Sequence, residues 1–171
     1  MLLCIFHKLI NNRSFALANI AKTRQPHATV VADTLNLPHP YKSFDFAICI
    51  AVIHHLSTNE RRIQAVRSIL EILRGPKSNS SGGKALLYVW ALEQKDSRRG
   101  WDKGDSQDVM VPWVLKHRAK KGDTQEPDQT FERYYHLYQK GELEDDVKQA
   151  GGQVLESGYE KDNWWVIITP L

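Results

Sequence analysis

The stretch Asp45-Phe46-Ala47-Ile48-Cys49-Ile50-Ala51-Val52 is apolar at every position after its first. A run of this length without polar alternation suits a strand covered on both faces, and strands of that kind belong to parallel sheets. Ile53-His54-His55 carries the run to its carboxyl end. Upstream, Ala28 to Asp33 is a shorter β-branched strand that also ends on a polar group, the acid Asp33. The loop between them is broken by Pro38 and Pro40.

Two parallel strands with an acid at the carboxyl end of the first read as part of a nucleotide-cofactor fold, because ligands of open α/β sheets lie at that edge. No glycine occurs before Gly75, so the glycine-rich loop that accompanies such strands is not in this sequence. After His55, Ser57 to Glu60 offers helix N-caps, and Ile63, Val66, Ile69, Leu70 and Leu73 follow at helical spacing. Lys77 to Gly83 is a Ser/Gly-rich loop, and Lys84 to Leu92 is the next strand. Residues 93–130 read as a long polar and basic insertion with Pro112-Trp113-Val114-Leu115 as an apolar island. Glu142 to Ala150 is a helix closed by Gly151-Gly152, and strands Gln153 to Tyr159 and Asn163 to Thr169 form a terminal hairpin. Leu17 to Lys22 reads as a helix tail, whereas the residues before it have no clear pattern.

With 171 residues and 42% hydrophobic content, the chain can bury one core of its own. A net charge of +3 is too small by itself to demand a polyanionic partner. The basic residues are nevertheless clustered, at Arg61-Arg62, Arg98-Arg99 and Lys116 to Lys121, which fits a phosphate-bearing partner or merely solvated faces. Cys4 and Cys49 have no spacing that suggests a metal site or disulfide framework, and a reducing compartment fits best. No run is long enough to span a bilayer, and the apolar Met1 to Phe6 lacks the basic flank of a signal peptide.

Eight segments together resemble one family: Val31-Ala32-Asp33, Phe44-Asp45 with Ile50 to His55, Trp90 to Gln94, Ser97-Arg98-Arg99-Gly100, Gln107 to Trp113, Tyr134 to Tyr138, Gly141 to Glu144, and Gly158 to Trp165. It is the tRNA wobble-uridine methyltransferase family of fungi and animals, which makes the methyl ester of carboxymethyluridine. The resemblance covers about residues 19 to 171. It implies an α/β, Rossmann-like class I fold dependent on S-adenosylmethionine, with a mostly parallel sheet ending in an antiparallel hairpin. The central strand, its glycine-rich loop and the acid that ends the second strand are expected to be missing. The chain is thus read as a single domain, 1–171, truncated at its amino terminus and lacking the first strands. Leu2 to Ile10 is a possible filler of the vacant place beside Asp45 to Val52, an edge that otherwise invites aggregation.

The same resemblance implies site roles. Asp33 accepts a hydrogen bond from the adenine amino group, with a turn cap on the amides of Thr34 or Leu35 as its structural alternative. Ile50 and Val52 flank the cofactor. His54 contacts substrate; adjacent histidines on a strand end point opposite ways, so at most one of His54 and His55 faces the site. Arg98 and Arg99 hold the substrate carboxylate, since guanidinium forks match it. Trp113, Tyr134, Tyr135, Asn163 and Trp164 are expected to bind substrate, although Tyr134 and Tyr138, one helical turn apart, suit core packing equally. No metal ligand set is expected. The implied partners are the tRNA anticodon loop and a small zinc-binding activator subunit covering an apolar strand edge, in the cytoplasm and also the nucleus. Two rivals stand beside this: a non-catalytic remnant that binds tRNA or the activator, and a methyltransferase for a small carboxylic acid.

Overall fold

The structure, a computed structural model, describes residues 3–6, 9–24, 28–76, 82–97, 99–115 and 128–171. Its strands are β1 (Leu3–Phe6), β2 (Leu9–Asn12), β3 (Ala28–Val31), β4 (Phe46–Ile50), β5 (Lys84–Trp90), β6 (Asp108–Leu115), β7 (Gln129–His136), β8 (Gly152–Glu160) and β9 (Asn163–Pro170). The helices are α1 (Phe15–Arg24), α2 (Asn59–Ile72) and α3 (Glu142–Gln149). Seven strands form one sheet in the order β3-β2-β1-β4-β5-β9-β8, and β6 and β7 form a separate ribbon.

The sheet corrects the expectation of a mostly parallel arrangement. Only β2–β3 and β4–β5 pair parallel, while β1–β2, β1–β4, β5–β9 and β8–β9 are antiparallel. The reason lies in the amino-terminal hairpin. β1 takes the place beside β4, with Cys4 opposite Cys49 and Ile5 opposite Ile48. Leu3–Phe6 therefore supplies the hydrogen-bonding neighbour that β4 needs, and its direction reverses the local pairing. Because two successive antiparallel steps restore direction, β2, β3, β4 and β5 still end on one edge.

The central apolar run is strand only to Ile50. Ala51 adopts φ 56°, a left-handed conformation costly for a residue with a Cβ, and Ile53–His55 then forms one 3-10 turn. The amide of Ala51 donates to Tyr88 on β5, at 3.0 Å, which helps hold the bend. α2 begins where Thr58 Oγ1 accepts from the Arg61 amide at 3.3 Å, and its inner stripe of Ala65, Val66, Ile69, Leu70 and Ile72 is buried. That stripe packs with Ala47, Cys49, Leu87 and Val89 of the sheet and Leu143 and Val147 of α3. Each such large aliphatic side chain contributes roughly 1.5–3 kcal/mol of burial.

Two further readings are corrected. The 93–130 segment is not an unstructured insertion, since Asp108–Leu115 is a strand paired residue for residue with Gln129–His136. Its alternation was hidden by exposure: Val109 and Val111 face inward, but Trp113, Val114 and Leu115 are all exposed. For the same reason Tyr134 and Tyr138 share no helical face. Tyr134 lies in β7, and Tyr138 lies beyond its end. The closing hairpin is as expected but tighter, with Lys161 and Asp162 at φ 46° and 65° making a two-residue turn.

Candidate cofactor and substrate site

The carboxyl ends of β2, β3 and β4 surround a cavity of about 440 Å³. Its wall is made by Asn11, Asn12, Arg13, Ser14 and Leu17 after β2, Ala32, Asp33, Thr34 and Leu37 after β3, and Val52, His55 and Leu56 after β4. The local folding is legible. Asn12 Oδ1 accepts from the Ser14 amide at 2.8 Å, and Ser14 Oγ accepts from Leu17 at 3.4 Å, so the two polar residues cap α1 at the cavity.

Asp33 lines the cavity and takes the turn-cap role considered for it. Oδ1 accepts from the Leu35 amide at 3.0 Å, which fixes the turn, and Oδ2 stands 3.9 Å from Arg13 Nε on the cavity wall. Asn11 is buried; its Oδ1 is 2.9 Å from His39 Nε2, and its Nδ2 has no partner among the described residues. The buried Thr34 Oγ1 is likewise unsatisfied. Both residues line the cavity, and a ligand carrying acceptors would relieve the cost of such unpaired atoms. An adenosine group meets that description, and the apolar Leu17, Leu37 and Val52 suit its base.

His54 is corrected as a substrate contact. The 3-10 turn points it inward, fully buried, where Nδ1 accepts from the Trp90 amide at 3.0 Å and Nε2 is unpartnered. Burial pushes its pKa well below the ordinary histidine value, and the neighbouring His55 adds to this. His55 is the histidine on the cavity wall. Its Nδ1 is 3.0 Å from the Tyr134 carbonyl, and burial lowers its pKa as well.

A second hollow of about 250 Å³ opens at the carboxyl end of β5, lined by Trp90, Gln94, Ser97, Arg99, Lys161, Asp162 and Asn163. Arg99 and Asn163, far apart in sequence, meet here. The Arg99 guanidinium lies 5.3 Å from the Trp101 ring, and no carboxylate pairs with it among the described residues. The two cavities are separated by one aromatic stack. The His55 ring is 4.4 Å from Tyr135, which stacks on Trp90 at 4.3 Å and 13°.

The other expected residues are scattered. Ile50, half-exposed at the end of β4, lines neither cavity, while Val52 does. Tyr135 is mostly buried in the dividing stack, and the Tyr134 hydroxyl donates to Asp108 Oδ1, at 2.5 Å. Burial and this carboxylate push the Tyr134 pKa up to about 12. Trp164 packs against the core with Nε1 donating to Glu93 at 3.0 Å. Trp113 is exposed on the ribbon. Arg98 and the basic run Lys116 to Lys121 lie outside the described residues. Sequence reasoning missed Asn11 to Ser14, although Asn-Asn-Arg-Ser after Leu9-Ile10 is a strand end followed by a helix cap. Among the described residues, no three His, Cys, Asp or Glu side chains could hold a metal ion, and no helix is long and apolar enough to cross a membrane.

Beside the wall sits an ionic network. His136 Nδ1 is 2.9 Å from Asp108 and Nε2 is 2.6 Å from Glu142, while Arg62 reaches Glu142 at 3.6 Å and Asp146 at 3.9 Å. Burial opposes charge on His136, but the hydrogen bonds to Glu142 and Asp108 outweigh it and raise its pKa. The network ties the ribbon to α2 and α3.

A seven-stranded sheet with a cavity at the carboxyl edge of its parallel strands is the arrangement of a class I S-adenosylmethionine-dependent methyltransferase fold. A methyltransferase-domain family model matches residues 9–75. The chain superposes on an S-adenosylmethionine-dependent methyltransferase from Clostridium acetobutylicum with a TM-score of 0.65 at 12% identity, covering 95% of this chain and 74% of that one. For the glycopeptide N-methyltransferase MtfA complexed with S-adenosylmethionine the TM-score is 0.63 at 14% identity, covering 95% and 72%. The sequence is 47% identical to a Schizosaccharomyces pombe tRNA (carboxymethyluridine(34)-5-O)-methyltransferase, over 92% of this chain and 69% of that one. It is 39% identical to the Saccharomyces cerevisiae protein of the same name, over 92% and 74%. The chain belongs to the tRNA (carboxymethyluridine(34)-5-O)-methyltransferase family. The family model begins at residue 9, so the likeness starts in β2, earlier than the motifs suggested. β2 ends on Asn12, an amide and not an acid.

Proposed function

We propose that this chain transfers a methyl group from S-adenosylmethionine to the carboxylate of 5-carboxymethyluridine at the wobble position of tRNA, forming the methyl ester. The observation that carries this reading is the pair of adjoining hollows: one offers polar groups for adenosine, the other an arginine with no carboxylate paired to it among the described residues. S-adenosylmethionine, when bound, would supply an electrophilic methyl carbon on its sulfonium, which departs as the neutral thioether. A carboxylate is ionised at neutral pH, so the protein needs no general base. Its task is alignment of two reacting atoms. Asn12, Asp33 and Thr34 hold the nucleoside part of the cofactor. Arg99, with Lys161 and Asn163 beside it, holds the substrate anion. His55 stays neutral through burial and therefore closes the wall without competing for the carboxylate.

The partner reading follows the same chemistry. The anticodon loop of tRNA is the substrate, and a small zinc-binding activator subunit covers a free strand edge. β3 is such an edge, with Val31 exposed and α1 exposing Phe15 and Ile20 near it. The cytoplasm, and with it the nucleus, is the expected compartment.

The test is calorimetric titration of the full chain, with and without the activator, followed by methyl transfer to tRNA carrying carboxymethyluridine. Micromolar cofactor binding and tRNA methyl-ester formation are expected. Binding of tRNA with no cofactor binding would support the non-catalytic rival, and esterification of a free acid alone would support the small-molecule rival.

A further inference from the structure

The ribbon formed by β6 and β7 has one continuous face. Its inner end carries Val109, Val111 and Tyr135, packed with Trp90 and Leu92 at the rim of the Arg99 hollow. The same face continues outward through Arg133, Phe131 and Trp113, because residues two apart on a strand, and direct partners across it, share a side. Toward its outer end the face is open to solvent, with Trp113 39% and Phe131 42% exposed.

We infer that this outer face, Trp113 with Phe131 and Arg133, is a stacking surface for unpaired RNA bases next to the modified uridine. The inference rests on the tRNA reading above. Trp113 and Phe131 are direct cross-strand partners, 6.0 Å between ring centroids at 38°. The Arg133 guanidinium carbon lies over the Trp113 ring, 4.2 Å from its centroid. Two aromatic faces with a planar cation among them are what single-stranded RNA uses, since every base has a π-face and every linkage a negative charge. The sign of the occupant is supported by sequence: of the six residues that follow Leu115, four are Lys or Arg. The reach fits as well. From Tyr135, which stacks on Trp90 of the hollow, to Phe131 is four residues of strand, about 13 Å. That is the span of near neighbours of a base seated in the hollow.

The experiment measures binding of the full chain to a labelled anticodon stem-loop and to a blunt RNA duplex of equal length. Trp113→Ala and Phe131→Ala should each weaken stem-loop binding about tenfold and leave duplex binding unchanged, with Trp113→Phe restoring most of the affinity. Thermal unfolding of each variant, and its cofactor affinity, should match the parent protein. Unchanged stem-loop binding would overturn the inference. So would an equal loss on both RNAs, or loss of activator binding with RNA binding intact, which would assign the face to protein. If the parent protein binds the stem-loop in a Trp113-dependent way but forms no methyl ester, the stacking surface stands and the proposed reaction falls.

Discussion

His54 and His55 are sequence neighbours whose rings meet edge to face, 4.5 Å apart at 84°, yet one is sealed in the core and the other lines the cavity at the ends of β2, β3 and β4. The left-handed turn at Ala51 and the 3-10 turn after it rotate the pair into this position. His54 then serves as a hydrogen-bond acceptor for β5, and His55 as a wall between two cavities.

His54 and His136 predict opposite pH dependences. The folded pKa of His54 is lowered, so its stabilising contribution is complete above about 6.5, the unfolded value, and is lost as pH falls below it. The folded pKa of His136 is raised, so its contribution is complete below 6.5 and is lost as pH climbs through the folded value. His54→Asn should flatten the acid side of a stability–pH profile, and His136→Gln the side above 6.5. Denaturant unfolding across this range measures both; identical slopes in parent and variants would refute the assignment.

Arg99→Ala should lower kcat/KM for tRNA about a hundredfold while cofactor affinity stays unchanged, because a charge-assisted hold on the carboxylate is lost. Arg99→Lys should recover part of this. A variant with parental turnover would remove Arg99 from substrate binding.

Asn12→Asp should tighten cofactor binding about tenfold. Asn12 Oδ1 is already given to the Ser14 amide, and the remaining amide nitrogen cannot accept from a ribose diol. A carboxylate could keep the cap and offer a second, charged acceptor worth roughly 1.5–3 kcal/mol. Calorimetry with S-adenosylhomocysteine measures it, and weaker binding would place the ribose elsewhere.

Gly83→Ala should destabilise the fold by about 2 kcal/mol or more, since packed backbone has little room to yield. A Cβ there would stand 2.6 Å from the Phe44 carbonyl oxygen, and the Gly83 amide also donates to Arg74 at 2.7 Å. Thermal unfolding decides it; a parental midpoint would show that the loop before β5 can shift.

Sequence alone fixed the elements whose signals are local. The apolar run at Phe46–Ile50, the stripe of α2 and the closing hairpin follow from periodicity, and Asp33 from its place after a strand. The family motifs added the activity. Tertiary structure decided what depends on partners distant in the chain: that Leu3–Phe6 pairs against β4 and turns the sheet mixed, that Arg99 meets Asn163, and that Asn11 to Ser14 join Asp33 around one cavity. It also decided which histidine is buried. Local patterning specifies how a segment bends and which side is apolar, whereas the direction of a pairing and the convergence of side chains arise only when the whole sheet closes over its core.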